Sequence, residues 1–300
     1  MPGSTFRRLR HYVPYAWKAA ALHRPGPLIY GLAITDRCNL SCEGCRLASA
    51  GRPDMTWSQA ADAMARAFAR GCRDLYLTGG EPTIWRDGAR SMEDLVVEAH
   101  RLGFFHVQVY TNGLQGLRTS ADLVWVSMDG LPETFAARRG PWFDDVERAV
   151  RAREHPRVAV IYTIDRRTAA GIEPFLRWVR DTAFPVMGVM FYFHTPYYGR
   201  DGLFIPRDER AGIIDELLGH IRAGLPVLNT RSALRALRSD SWARPLGFTW
   251  VADVEGEWVC CRASAAPGNV CADCGYASCA ELTETLRLRP SAVMGMLRYW

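Results

Sequence analysis

The chain has 300 residues, with 48% hydrophobic and 23% charged residues and a formal net charge of +5. That length can bury a large core, as one sizeable domain or one plus an appendage, and the basic excess is too weak to argue for nucleic acid. No run of 18 apolar residues exists, and the N-terminus lacks the apolar core of a secretory signal; a cytoplasmic protein is expected, free or peripheral at a membrane surface.

Residues 1–27 form a leader in which Phe6 to Val13 and Tyr15 to Lys18 mix cations with aromatic and aliphatic residues. Pro14 lies between them, at the first turn of a helix or as a break. A basic amphipathic stretch can lie on a membrane; the favoured reading is a helix packed on the core with its arginines in water. From Leu28 onward strand and helix patterns alternate. Strands are expected at Ile29–Thr35, Asp74–Thr78, His106–Tyr110, Leu123–Ser127, Val158–Ile164 and Val186–Phe193. Helices are expected at Trp57–Arg70, Met92–Leu102, Phe143–Arg153 and Ile172–Arg180, from apolar residues at helical spacing with Thr56 or Ser58 as a cap and Gly71 and Gly103 as stops. Six strands interleaved with helices imply an α/β fold with a parallel sheet and right-handed crossovers.

After His194 the character shifts. Pro206 to Arg222 reads as an amphipathic helix, and Phe248 to Val259 as a hairpin turning at Glu255-Gly256. The expected division is a leader (1–27), a core (28–200) and a C-terminal extension (201–300).

Nine cysteines, clustered and without a signal peptide, argue for a reducing compartment and metal binding. Cys38, Cys42 and Cys45 fall in C-x3-C-x2-C directly after the first strand. Three thiolates on a short loop suit an iron–sulfur cluster with one iron left open. Structural zinc is the alternative, although it wants four closed ligands. Downstream, Thr78-Gly79-Gly80-Glu81-Pro82-Thr83 sits at another strand end.

These two blocks together resemble the radical S-adenosylmethionine (radical SAM) superfamily, over about Leu28 to His194. The resemblance implies a partial (β/α)6 barrel and a [4Fe–4S] cluster held by Cys38, Cys42 and Cys45. Its fourth iron chelates SAM, and an electron splits the sulfonium to methionine and a 5′-deoxyadenosyl radical. Gly79, Gly80, Glu81 and Pro82 are expected at the SAM ammonium, through backbone carbonyls and the Glu81 carboxylate. Asn112, Ser127 and Asp129, each at a strand end, are expected at the SAM ribose or carboxylate, although Asn112-Gly113 and Asp129-Gly130 are also plain turn dipeptides. Gly44 stands where the family commonly has an aromatic residue. Certain lipid-modifying members, notably hopanoid adenosyltransferases, also look like C-x3-C-x-G-C.

Tyr162, Tyr192, His194 and Tyr197 follow on later strands, as pocket lining or as satisfied packing residues. The tail holds Cys260, Cys261, Cys271, Cys274 and Cys279. It resembles the auxiliary-cluster (SPASM or twitch) extensions in abbreviated form. Four of the five would hold a second iron–sulfur cluster, or a zinc, since C-x2-C serves both. Cys72, alone after a helix, reads as a buried thiol.

A radical SAM enzyme is thus expected, with flavodoxin or ferredoxin as reductant and no cobalamin. No catalytic acid or base can be named. Leader, Gly44 and tail lean toward a lipid or isoprenoid substrate; a peptide or small metabolite stays open. The rival readings are a non-catalytic redox metalloprotein, which would not need the Gly-Gly-Glu-Pro turn, and a zinc-stabilised interaction protein.

Overall fold

The structure is a computed structural model describing residues 2–22, 26–45, 51–265 and 270–299. It opens with helix α1 (Pro2–Leu22), which runs unbroken through Pro14. Pro14 removes one helical bond, the one to the Arg10 carbonyl; both residues are exposed, so water takes that carbonyl.

Strands β1 (Ile29–Thr35), β2 (Asp74–Gly79), β3 (His106–Thr111), β4 (Leu123–Ser127), β5 (Val158–Ile164) and β6 (Val189–Phe193) pair in chain order, all parallel. Helices α2 (Trp57–Ala69), α3 (Met92–Leu102), α4 (Pro132–Arg139), α5 (Phe143–Arg151) and α6 (Ile172–Asp181) lie in the connections. Local chemistry sets their ends. Thr56 and Gln59 form a capping box on α2, and Gly103 closes α3 in the left-handed region. The last of the six strands begins at Val189 rather than Val186. Gly188 before it has φ +145°, and a Cβ there would stand 2.7 Å from the Pro226 carbonyl oxygen.

The strands alternate. Tyr30, Leu32, Leu75, Leu77, Val107 and Val109 meet Ala60, Met64, Leu95 and Val96 in one core. Val124, Val126, Val158, Val160 and Tyr162 meet Val146, Phe175 and Leu176 in another. Tyr162 belongs to this second core. Its hydroxyl donates to the Thr168 carbonyl (2.6 Å), so it is packing and lines no pocket. Cys72 is likewise buried in the first core.

Beyond β6 come α7 (Arg207–Arg222) and α8 (Arg231–Ser239). The expected hairpin then forms as β7 (Thr249–Asp253) and β8 (Gly256–Val259), followed by α9 (Ala277–Leu286) and α10 (Pro290–Leu297). β7 pairs in parallel with β1, and β8 closes the edge in antiparallel. Among the described residues the main sheet therefore has eight strands, ordered β8-β7-β1-β2-β3-β4-β5-β6.

Helix α1 lies across the amino ends of the strands. Tyr12 donates to the Asp74 carboxylate at the start of β2 (2.9 Å), Arg8 to the Phe105 carbonyl before β3 (2.7 Å), and Tyr15 to the Gly26 carbonyl before β1 (2.6 Å). The carboxyl ends stay clear of it. There the chain leaves β1 to Cys38, β2 to Gly80, β3 to Asn112 and β4 to Asp129, as parallel α/β sheets place their sites.

Candidate active site

Gly79 and Gly80 hold the second block against the loop that leads into the cysteines. The Gly80 amide donates to the Thr35 carbonyl and the Glu81 amide to the Arg37 carbonyl, both at 2.8 Å. A Cβ on Gly79 would lie 2.0 Å from the Thr35 carbonyl oxygen, and one on Gly80 2.2 Å from that of Arg37. Only glycine allows so close an approach of two backbones. Cys38 is the next residue along.

Glu81 turns inward. Its carboxylate is fully buried and accepts from the Thr83 amide (3.1 Å), the Thr83 hydroxyl (2.7 Å), the Thr111 hydroxyl (2.8 Å) and the Asn112 amide (2.7 Å). It caps the short turn Pro82–Ile84 and ties β2 to β3. Three of these bonds fall on Oε1 and one on Oε2, so the carboxylate fastens the turn to β3.

Asn112 stands beside the first cysteine. Its amide nitrogen donates to Asn39 Oδ1 (2.7 Å) and reaches Cys38 Sγ at 3.9 Å, while its Oδ1 accepts from the Leu114 amide (3.0 Å). The Leu40 amide donates to the same sulfur at 3.4 Å. Burial pushes the Cys38 thiol pKa up, and that amide works against the rise.

Asp129 does not face the cleft with its carboxylate. It is fully buried and accepts from Arg138 Nε (3.0 Å), Arg139 Nε (2.6 Å) and the Thr163 amide (2.6 Å). Burial would raise its pKa, but Arg139 and Arg138 outweigh it and hold the carboxyl below its usual range. Arg138 also pairs with buried Asp165. The freed end of Arg139 reaches Cys42 Sγ at 3.7 Å. Burial drives the Cys42 thiol up, with Arg139 as the main opposing influence. Asp129 thus aims a cation at the second cysteine. The sequence signal that would have found this was Arg138-Arg139 at the end of α4, one turn-and-helix after Asp129-Gly130. Ser127 ends β4 half-buried.

Gly44 has a structural reason. It sits at φ +75°, and a Cβ there would lie 2.6 Å from Leu203 Cδ1 and 3.4 Å from His194 Cε1. The segment leaving β6 fills the place where an aromatic side chain would go. His194 is buried there, with Nε2 3.1 Å from Asp201 Oδ2. Burial lowers the imidazole pKa, and Asp201 offsets part of the fall.

The five tail cysteines line one open pocket, with Thr195, Tyr197, Trp242 and Tyr276 among its other walls. Cys260 ends β8 at φ +69°. That left-handed residue breaks the strand's alternation, so neighbouring Cys260 and Cys261 both reach one pocket. Cys260 Sγ lies 3.9 Å from Cys279 Sγ on α9. The Cys261 side chain lowers the Cys260 pKa, but the contact with Cys279 and burial prevail and take it to about 12. Burial, with the neighbouring Cys260, Cys261 and Cys271, takes Cys274 to about 12, against a backbone hydrogen bond from Tyr276. Gly275 docks this loop on β6. Its carbonyl accepts from the Phe193 amide (2.9 Å), and a Cβ there would stand 2.2 Å from the Phe193 oxygen. Arg210, buried on α7, donates to the carbonyls of Asp273 (3.0 Å) and Cys274 (3.1 Å) and fixes the loop from behind. Tyr192 packs its ring 5.5 Å from that of Tyr276, on the inner face of the sheet.

Among the described residues no three His, Cys, Asp or Glu side chains converge at the spacing of a single metal ion. A cubane is less demanding, because each thiolate binds its own iron. The donor set is soft sulfur with a cation and amide donors turned toward it, which suits an anionic cluster.

The sequence matches the family described as the radical SAM superfamily over residues 32–186, more than half of the chain. The chain belongs to the radical SAM superfamily. It is therefore a SAM-dependent enzyme that works with a [4Fe–4S] cluster. This radical SAM protein is 34% identical over 125 residues to the sporulation killing factor maturation protein SkfB of Bacillus subtilis (strain 168), across 38% of this chain and 29% of that one. It is 33% identical over 168 residues to GTP 3′,8-cyclase of Haemophilus influenzae (strain PittEE), across 50% and 49% of the two. It spans about half the length of these curated relatives or less. Among solved structures, Streptococcus suis SuiB bound to precursor peptide SuiA superposes with a TM-score of 0.64 at 13% identity, over 98% of this chain and 72% of that one. Native anSMEcpe with bound AdoMet and Kp18Cys peptide gives 0.57 at 19% identity, over 71% and 67%. These likenesses show the fold: a mixed α/β architecture with a large parallel sheet.

Proposed function

We propose that Cys38, Cys42 and Cys45 hold the [4Fe–4S] cluster, and that SAM lies between its open iron and the Gly79–Gly80 backbone. The observation carrying this is the pair of backbone bonds that clamp residues 80–81 onto residues 35–37, one residue before Cys38. When bound, the two cofactors supply a one-electron cleavage of the sulfonium that leaves a 5′-deoxyadenosyl radical. The chain's own work is positional. Asn112 braces the Cys38 loop, Arg139 sets a cation beside Cys42, and Ser127 offers a hydroxyl at the mouth. Asp129 acts through Arg139. The five-cysteine pocket takes a second iron–sulfur cluster through four of its thiolates, with zinc as the alternative.

The substrate is proposed to be a peptide. SkfB is by name a maturation protein, and SuiB and anSMEcpe were solved with peptides. The basic α1 favours a second reading, a lipid or isoprenoid substrate with the enzyme peripheral at a membrane. Against it, α1 lies at the strand ends opposite the cysteines. A flavodoxin or ferredoxin is the proposed electron donor.

The test is anaerobic reconstitution followed by SAM and dithionite, with 5′-deoxyadenosine read by mass spectrometry. Wild type should form it. Cys38→Ala, Cys42→Ala and Cys45→Ala should each abolish it while keeping the tail's iron. A fully loaded wild-type protein that forms none overturns the proposal.

A further inference from the structure

The net charge of this chain is confined to one end of it. Residues 1–27 carry Arg7, Arg8, Arg10, Lys18 and Arg24; the first acid is Asp36. Those five cations leave 32 of the chain's 37 for the remainder, which its 32 acids balance. The whole net charge of +5 therefore sits in the leader, and Lys18 is the chain's single lysine.

Helix α1 uses one face to hold the body, through Arg8, Tyr12 and Tyr15. Its other face is apolar and bare. Leu9, Val13 and Trp17 recur every four residues, on one stripe, and are 45%, 59% and 74% exposed. Three large apolar side chains this exposed on one helix face are unusual for a surface facing only water. Arg10 borders the stripe and Lys18 stands further round the helix on the same side, both exposed. An apolar stripe carrying a tryptophan, with cations on one side and free of acids, has the chemistry of a helix lying in the headgroup region of an anionic bilayer. Among the described residues no helix is long and apolar enough to cross a membrane. The middle of the helix is held to the protein at Arg8, Tyr12 and Tyr15, so it would lie flat rather than insert.

We propose that the outer face of α1 docks this protein on an anionic lipid surface. Leu9, Val13 and Trp17 enter the interface, while Arg10 and Lys18 meet lipid phosphates. Because α1 crosses the amino ends of the strands, docking turns the cysteine loop toward the aqueous side. A substrate then reaches the site from water, even while the enzyme is held at the membrane. The inference does not rest on the chemistry of the cluster.

The experiment is vesicle sedimentation of the full-length, reconstituted protein. Wild type is expected to pellet with phosphatidylglycerol–phosphatidylcholine vesicles, much less with phosphatidylcholine alone, and less as salt rises. Val13→Glu with Trp17→Glu should lower the partition coefficient at least about tenfold. Arg10→Gln with Lys18→Gln should lower it about fivefold per charge on anionic vesicles only. All four side chains are exposed, so melting temperature and 5′-deoxyadenosine formation should stay at wild-type values in both variants. Failure of wild type to pellet with anionic vesicles overturns the proposal, as does unchanged pelleting of Val13→Glu/Trp17→Glu. Light scattering that shows a wild-type dimer, split by the same double variant, assigns the stripe to a second copy and also overturns it.

Discussion

A buried carboxylate is stable only when its oxygens are fully bonded. Glu81 draws four donors, two from Thr83 and one from Thr111 on Oε1 and the Asn112 amide on Oε2. Glu81→Gln keeps the shape but turns one acceptor into a donor that must face an N–H or O–H. The expected cost is about 1–3 kcal/mol of stability, read by chemical denaturation. A variant within about 0.5 kcal/mol of wild type, the range of an ordinary surface change, would show that the carboxylate is not held as described. At this scale the sequence is most legible where chemistry is local. Three cysteines within eight residues and a Gly-Gly turn announce themselves. Asp129 is different. Its place at a strand end can be read, but the direction of its carboxylate is set by Arg138, Arg139 and Thr163, which only folding brings together. Tyr162 takes the packing role of its two readings: strand alternation sends it outward, into the core under α6.

At the scale of elements, the strands and the helices α2, α3, α5 and α6 follow from periodicity and caps, with ends shifted by a few residues, whereas the short α4 is not among the expected helices. The larger departures come from tertiary contacts. Pro14 is tolerated because the bond it removes lies on the wet side of α1. The tail loop has no periodicity at all, and its position depends on Gly275 lying flush against Phe193. That dependence can be tested. Gly275→Ala places a methyl 2.2 Å from a backbone oxygen, which cannot yield as a flexible side chain would, so the loop must lift from β6. Cys271 and Cys274 move with it. The variant should lose about half of its reconstituted iron if both sites hold four-iron clusters, while SAM cleavage at Cys38, Cys42 and Cys45 persists. Full iron content in Gly275→Ala would show that the tail cysteines do not need this docking.

For the whole molecule, the decisive feature is where the C-terminal third goes. β1 lies inside the sheet, between β2 from the core and β7 from the extension. Tyr30 on β1 donates to Glu257 on β8 (2.8 Å), and Arg70 after α2 pairs with the same carboxylate (2.6 Å). Asp36, just before the cysteines, is bound by Arg52 and by Arg262. At the other edge, the Asn229 side chain bonds both the amide (2.8 Å) and the carbonyl (3.1 Å) of Phe191, so it covers β6 where a further strand would pair. Ile214, Leu217, Leu234, Ala277 and Ala280 share one core with β4, β5 and β6. None of this can be read from sequence, because a strand's pattern tells its face and not its neighbour. Removing residues 201–300 would therefore strip both edges of the six-stranded sheet and open its larger core. We expect residues 28–300 to unfold as one cooperative unit, with calorimetric and van't Hoff enthalpies in a ratio near one, and a chain ending at residue 200 to be insoluble. A soluble 1–200 fragment with its own sharp melting transition would show instead that the core folds first and that the C-terminal third is added to a finished barrel.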